Sequence, residues 1–121
     1  TTFRPTPAAT GAWDPGLVHG AALSGLLAGR LAPASSTVAR YAIDFLAPVP
    51  MAELAVEVDD DGGGQRVQRR RATVTADGRV VATASALVVR EASHLRPRPI
   101  EQSRPKVAVF ILSPLFSVKP L

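Results

Sequence analysis

One helix-like segment followed only by strand-like segments limits the folds open to this chain. Residues 16–31 carry apolar side chains at helical spacing, after an Asp14-Pro15 pair typical of a helix start, and Pro33 ends the segment. The spaced apolar residues are Leu23, Leu26, Leu27 and Leu31. Between them lie glycine, alanine and serine, small residues that we expect to pack closely against a sheet.

Four later segments have the composition of strands, and the first two alternate between apolar and polar residues, as half-buried strands do. They cover residues 40–45, 53–58, 65–75 and 79–90. The run DDDGGG predicts a loop at residues 59–64, and Asp77-Gly78 predicts a tight hairpin turn. Residues 10–13 predict a short strand or the approach to one.

A lone helix covers one side of a long sheet only when the sheet curls around it. The pattern therefore predicts an α+β fold in which an antiparallel sheet wraps around one long central helix. Its fourth strand, apolar or small on both faces, is expected in the middle of the sheet.

The 121 residues suffice for one domain, which we place at residues 1–90. Residues 91–121 differ in composition and are predicted to be a Pro/Arg-rich linker with an apolar C-terminal segment. The apolar run at residues 107–112 could pair with a sheet edge, bind a partner or begin a second domain.

Charge and composition exclude several classes of function. The basic excess lies mainly in residues 91–121, while residues 1–90 hold nine arginines against eight acidic residues, so we predict no nucleic-acid binding. No apolar run approaches the roughly 20 residues of a membrane span. With no cysteine and two histidines, we predict no metal and no cofactor, and we expect a cytoplasmic location.

Residues 14–21, with the sequence DPGLVHGA, resemble the loop-into-helix motif of hotdog-fold thioesterases. Residues 40–50 (RYAIDFLAPVP) and 64–89 resemble strands of the N-terminal hotdog unit of acyl-CoA thioesterase II-like proteins. The resemblance covers about residues 3–90. It implies a hotdog fold and an acyl-CoA thioesterase or thioesterase-like domain. It also implies a homo-oligomer, or pairing with a second hotdog unit, with acyl-CoA bound at the seam.

The candidate catalytic residues are Asp14, His19 and Gly20. Free N–H groups at a helix N-terminus suit the oxyanion of thioester hydrolysis, and Gly20 has no side chain to block its amide. Asp14 could position water, act as a base or only cap the helix. His19 could take part in the reaction or only pack near the helix end.

One position departs from the family pattern. Thioesterases with a His-Gly pair usually carry a carboxylate about nine residues further along the helix, where this chain has Ala28. Either Asp14 replaces that acid, another chain or segment supplies it, or the domain is a catalytically silent acyl-binding or scaffolding unit.

Gln68, Arg69 and Arg71 are the candidate substrate-binding residues. Arg69 and Arg71 share one face of a strand, and arginine binds the phosphates of coenzyme A well through its planar donors. The alternative is a solvated strand, or ion pairs with Glu53, Glu57 or the acidic run at residues 59–61.

Overall fold

The computed structural model describes residues 1–90 and 115–119, which form one helix and six strands. The helix and strands are β1 (Thr2–Pro5), α1 (Gly20–Leu31), β2 (Ser36–Phe45), β3 (Leu54–Gly63), β4 (Val67–Ala76), β5 (Arg79–Arg90) and β6 (Phe116–Lys119). A short 3-10 turn at Pro7–Ala9 separates β1 from the segment that leads into α1.

All six strands lie in one antiparallel sheet, in the order β2-β5-β4-β3-β1-β6. Helix α1 lies against β4 and β5 near the middle of that sheet. The arrangement confirms the predicted α+β class. It also confirms that the strand at residues 79–90 is an interior one, paired on both sides.

The core lies between α1 and the sheet. The four helically spaced leucines are buried, against small and β-branched residues of β4 and β5 such as Ala72, Val74 and Ala84. Two glycines of the helix differ from our expectation. Gly25 and Gly29 are exposed, so they do not serve close packing against the sheet.

The helix starts at Gly20 rather than near residue 16, so our predicted start was wrong. The preceding backbone forms tertiary hydrogen bonds instead: Val18 N–H donates to Val49 O at 2.8 Å, and Met51 N–H donates to Gly16 O at 2.9 Å. Once these groups pair with residues 49–51, they cannot continue the helix.

Of the two turns predicted between neighbouring strands, the structure confirms one and corrects the other. Asp77 and Gly78 both adopt positive φ angles, 51° and 76°, as a tight hairpin turn requires, and this prediction is confirmed. The expected loop at residues 59–64 is mostly strand. Asp59 and Asp60 pair with Arg71 and Arg70 across β3 and β4, and the chain turns only after an irregularity near Gly63.

β6 adds a strand from the C-terminal region beside β1. Phe116 is buried in the core, and Thr6 N–H donates to Leu115 O at 2.8 Å. The apolar run at residues 107–112, expected to form part of the C-terminal segment, lies outside the described residues. Within the described parts of the chain, no helix is long and apolar enough to cross a membrane.

Candidate functional site

The segment that enters α1 is held on both sides by backbone pairing. Thr10 bridges Val18, Leu17 bridges Pro50, and His19 N–H donates to Ala9 O at 2.7 Å. The loop between Thr10 and Val18 is therefore closed at its base. This anchoring gives the first residue of the helix a defined position.

His19 caps the helix through its side chain. Its Nδ1 accepts a hydrogen bond from Ala21 N–H at 3.1 Å, while its backbone is extended (φ −63°, ψ 128°). An imidazole nitrogen that accepts carries no proton, so this geometry assigns the ring proton to Nε2. We had considered Asp14 as the cap; the structure gives that role to His19.

The amide of Gly20 is left free at the start of the helix. No described residue accepts a hydrogen bond from Gly20 N–H, whereas Ala21, Ala22 and Leu23 all donate to His19. The helix dipole places partial positive charge at this end. One unpartnered, positively polarised donor is therefore available to an oxygen that carries developing negative charge.

Phe45, at the end of β2, covers the side of Gly20 where a side chain would project. A β-carbon built on Gly20 would lie 3.3 Å from Phe45 Cζ, closer than ordinary contact. Sequence alternation puts Phe45 on the same face of β2 as Tyr41 and Ile43, but it does not predict the contact with Gly20. The adjacent Leu46, which interrupts the alternation, was the available signal.

Asp14 lies at a turn in the loop before α1. Its Oδ1 accepts from Gly16 N–H at 2.8 Å, its own carbonyl accepts from Leu17 N–H at 3.1 Å, and it is exposed. Within residues 1–90 and 115–119, no hydrogen bond joins its carboxylate to His19 or Gly20. Asp14 is thus oriented by the turn and remains accessible to a ligand or solvent.

Large apolar side chains are exposed around this end of the molecule. Trp13 is 98% exposed in the loop that precedes α1, Phe45 is 49% exposed, and Leu46 is 60% exposed. Exposed apolar surface of this kind is typical of binding sites for apolar ligands or partners.

Tyr41 links β2 to the middle of α1. Its hydroxyl donates to Ser24 O at 2.9 Å, and Ser24 Oγ donates to the Tyr41 hydroxyl at 3.3 Å. Burial raises the pKa of Tyr41 above its ordinary value of 10.0, and the Ser24 hydrogen bond only partly opposes that shift. The neutral tyrosine is therefore the form that joins the edge strand to the helix.

The predicted substrate-binding residues lie at the opposite end of α1. Arg70 Nη1 donates to the carbonyl of Leu31, the last residue of the helix, at 2.9 Å. α1 has 12 residues and is therefore about 18 Å long, which separates this region from Gly20. Arg71 forms an ion pair with Asp61 at 3.6 Å, the alternative that we had considered for it.

Gln68 and Arg69 flank the same region. Gln68 lines a surface cleft, and the Arg69 guanidinium lies beside Gly62 near the end of β3. The structure therefore brings together His19 and Gly20 but keeps Gln68, Arg69 and Arg71 apart from them. Among the described side chains, no group of three His, Asp or Glu could hold a metal ion.

The family described as the acyl-CoA thioesterase N-terminal domain matches residues 9–89. A search of the curated proteins finds no match.

Solved structures share the fold. A thioesterase superfamily protein is 26% identical, with a TM-score of 0.61, over 73% of this chain and 49% of that chain. A phenylacetic acid degradation-related protein of Ralstonia eutropha is 23% identical, with a TM-score of 0.58, over 73% and 72% of the two chains. A Streptococcus mutans protein bound to acetyl-CoA is 16% identical, with a TM-score of 0.60, over 75% and 81%.

Proposed function

This chain belongs to the acyl-CoA thioesterase N-terminal domain family and has the hotdog fold, and on that premise we propose that it hydrolyses acyl-CoA thioesters at the N-terminus of α1. The observation that carries the proposal is the unpartnered Gly20 amide, with no side chain of its own, next to exposed apolar surface. In this reaction water adds to the thioester carbonyl, the oxyanion accepts from Gly20 N–H, and the C–S bond breaks to release a carboxylate and coenzyme A.

His19 acts as a positioning residue in this proposal. Its Nδ1 bond to Ala21 N–H holds the first turn of the helix, so the Gly20 amide keeps a fixed direction. The same bond occupies the Ala21 amide, which leaves Gly20 as the donor for the substrate oxygen. The Nε2 proton of His19 remains available for a second hydrogen bond to the ligand.

Asp14 is the proposed base in this chain. Its carboxylate is exposed and held by the Gly16 turn, in the loop that leads directly to His19 and Gly20. A carboxylate of this kind can accept a proton from attacking water. A carboxylate from a second hotdog unit is the alternative source, because α1 contains no acidic residue.

We also propose that the chain pairs through β2, with a second copy or with another hotdog unit. β2 is an edge strand of the described sheet, and it carries Phe45 and leads directly to Leu46, both exposed. An edge strand offers unpaired backbone groups to another strand. Pairing there would bring a second chain to the Gly20 end of α1. The acyl-CoA substrate favours a cytoplasmic location.

A catalytically silent domain that binds acyl groups or scaffolds a partner is the second candidate function. The observation that favours it is the small side chain of Ala28 where His-Gly thioesterases usually carry the acid. The Gly20 amide would then bind the thioester oxygen without the base that turnover needs.

Hydrolysis of acyl-CoA thioesters of increasing chain length, followed by the release of free thiol, separates the two candidates. Trp13 is the only tryptophan, so its fluorescence reports ligand binding in the same samples. Thiol release that Asp14→Asn abolishes, and Glu57→Gln preserves, supports hydrolysis with Asp14 as the base. The Asn oxygen can still accept from Gly16, so the turn is retained.

Binding without thiol release would identify the silent domain. Hydrolysis that Asp14→Asn leaves unchanged would mean that another group acts as the base. Neither binding nor hydrolysis for any acyl-CoA would contradict the proposed function.

A further inference from the structure

The sheet is longer than the helix that covers it. β5 has 12 residues and extends about 40 Å, roughly twice the length of α1. Beyond Leu31 the helix-facing side of the sheet therefore continues without a helix over it. A cleft of about 280 Å³ lies at this end.

The cleft is lined mainly by polar side chains. The polar residues around it are Ser35, Ser36, Gln65, Arg66, Gln68 and Arg90. None of these lining residues is acidic, and two of them are arginines.

The two arginines lie on the side of the sheet that α1 covers. Side chains alternate along a strand, and Arg90 has the same parity as buried Val88 on β5. Arg66 and Gln68 have the same parity as Arg70, which reaches the end of α1. The overhanging part of this face therefore carries positive charge where the covered part is apolar.

Arg66 and Arg90 start from paired backbone positions. Arg90 N–H donates to Arg66 O at 2.8 Å, so the two side chains leave neighbouring points of the sheet. Within residues 1–90 and 115–119, neither guanidinium forms an ion pair, in contrast to Arg70 and Arg71. Two like charges on neighbouring backbone positions, with no acid among the residues that line the cleft, favour the binding of an anion.

The carbonyl end of α1 does not oppose an anion here as strongly as a bare helix end would. Arg70 donates to the Leu31 carbonyl, and its guanidinium is 3.3 Å from Asp60. The last helix carbonyl is thus already hydrogen-bonded to a guanidinium, although Asp60 offsets part of the charge of Arg70. The guanidinium groups of Arg66 and Arg90 remain available to bind an anion.

We propose that this cleft binds phosphate groups, and specifically those of the coenzyme A part of the substrate, through Arg66 and Arg90. The assignment of coenzyme A rests on the proposed function. The Ser36 end of β2 lies at the cleft, and its Phe45 end lies at Gly20, so one edge strand runs between the two sites.

The exposed side of α1 leaves room for a linear ligand between these ends. Ala21, Gly25 and Gly29 are exposed there, at a spacing of four residues, and none has a side chain beyond a methyl group. The pantetheine arm of coenzyme A is a linear chain that separates the thioester from the phosphates. The thioester can therefore reach Gly20 while the phosphates remain near the arginines.

The test compares the full chain with the Arg66→Gln/Arg90→Gln variant in equilibrium titrations with coenzyme A, adenosine 3′,5′-bisphosphate, pantetheine and inorganic phosphate. We expect coenzyme A and the bisphosphate to bind about tenfold more weakly to the variant, and pantetheine to be unaffected. Arg79→Gln, which changes an exposed arginine at the other end of β5, is the matched control and should bind as the parent does.

Equal coenzyme A affinities in the parent and the double variant would overturn the proposal, as would the absence of coenzyme A binding to the parent. Binding of inorganic phosphate alone would overturn the coenzyme A assignment. Titration does not require turnover. Loss of bisphosphate binding in the variant therefore supports phosphate binding in the cleft even if no thioester is hydrolysed. The titrations therefore test phosphate binding separately from hydrolysis.

Discussion

The ring of Phe45 occupies the space into which a side chain on Gly20 would project, with Cζ 3.3 Å from the position of that β-carbon. A glycine at this position thus does two things: it leaves the amide open to a ligand, and it lets the end of β2 approach the start of α1. The two roles make different predictions, because Phe45 is half exposed and can move, whereas the amide cannot.

We expect Gly20→Val to lower turnover by about 10²–10³, the typical cost of losing one oxyanion donor. Ala21→Val is the matched control, because Ala21 is exposed and its amide is already bound by His19. Steady-state rates with the best acyl-CoA, together with melting curves, check the prediction. If adding Phe45→Ala to the Gly20→Val variant restores activity, the glycine is needed for packing against Phe45 and not for binding the oxyanion.

The His19 cap predicts a measurable contribution to stability. We expect His19→Ala to lower the free energy of unfolding by about 1 kcal/mol, because the Ala21 amide loses its acceptor. His19→Asn should recover most of this loss, since an Asn oxygen can accept the same bond. Urea unfolding measures both. Equal stability of the Ala and Asn variants would show that the Nδ1 bond does not stabilise the helix.

Tyr41 predicts a loss of stability in alkali. Its pKa in the folded protein is raised by burial, so folding favours the neutral hydroxyl. The stabilisation is complete below the ordinary pKa of 10.0 and is lost as the pH rises from there through the higher folded value. Urea unfolding at increasing pH should show this decrease for the parent and a smaller one for Tyr41→Phe. Tyr41 is the only tyrosine, so its ultraviolet titration is unambiguous.

Pairing through β2 predicts that the chain is not a monomer at micromolar concentration. Light scattering should give at least twice the mass of one chain, and Leu46→Ser should shift the protein toward monomer. Val118→Ser is the control, because Val118 is 62% exposed on β6, at the opposite edge of the described sheet. A folded parent monomer at this concentration would contradict the prediction.

The sequence predicted best the elements whose ends are set by local chemistry. Pro33 follows the end of α1 at Leu31 closely, and the Asp77-Gly78 turn sets the start of β5 at Arg79. The start of α1 was not predictable in this way. Residues 16–18 bond to residues 49–51, which are distant in the chain, so the local Asp14-Pro15 signal was overridden by tertiary pairing.

The candidate site likewise combines residues that local sequence indicates with residues that only tertiary pairing brings there. His19 and Gly20 were singled out as candidates because residues 14–21 are a local motif that resembles the one in hotdog-fold thioesterases. Phe45 and the Arg66–Arg90 cleft depend on which strands meet the two ends of α1, and no local pattern specifies that. The pairing of Arg71 with Asp61 likewise depends on the register of β3 and β4.

The C-terminal strand yields the last prediction. Phe116 is 6% exposed and Val118 is 62% exposed, although both lie on the four-residue strand β6. Removing a buried phenylalanine side chain typically costs about 3–5 kcal/mol, whereas an exposed valine contributes little. We therefore expect Phe116→Ala to lower the free energy of unfolding by about 3 kcal/mol and Val118→Ala to leave it nearly unchanged, as measured by urea unfolding of the full chain. Equal stability of the two variants would mean that residues 1–90 fold without β6, as expected of a domain that ends at Arg90.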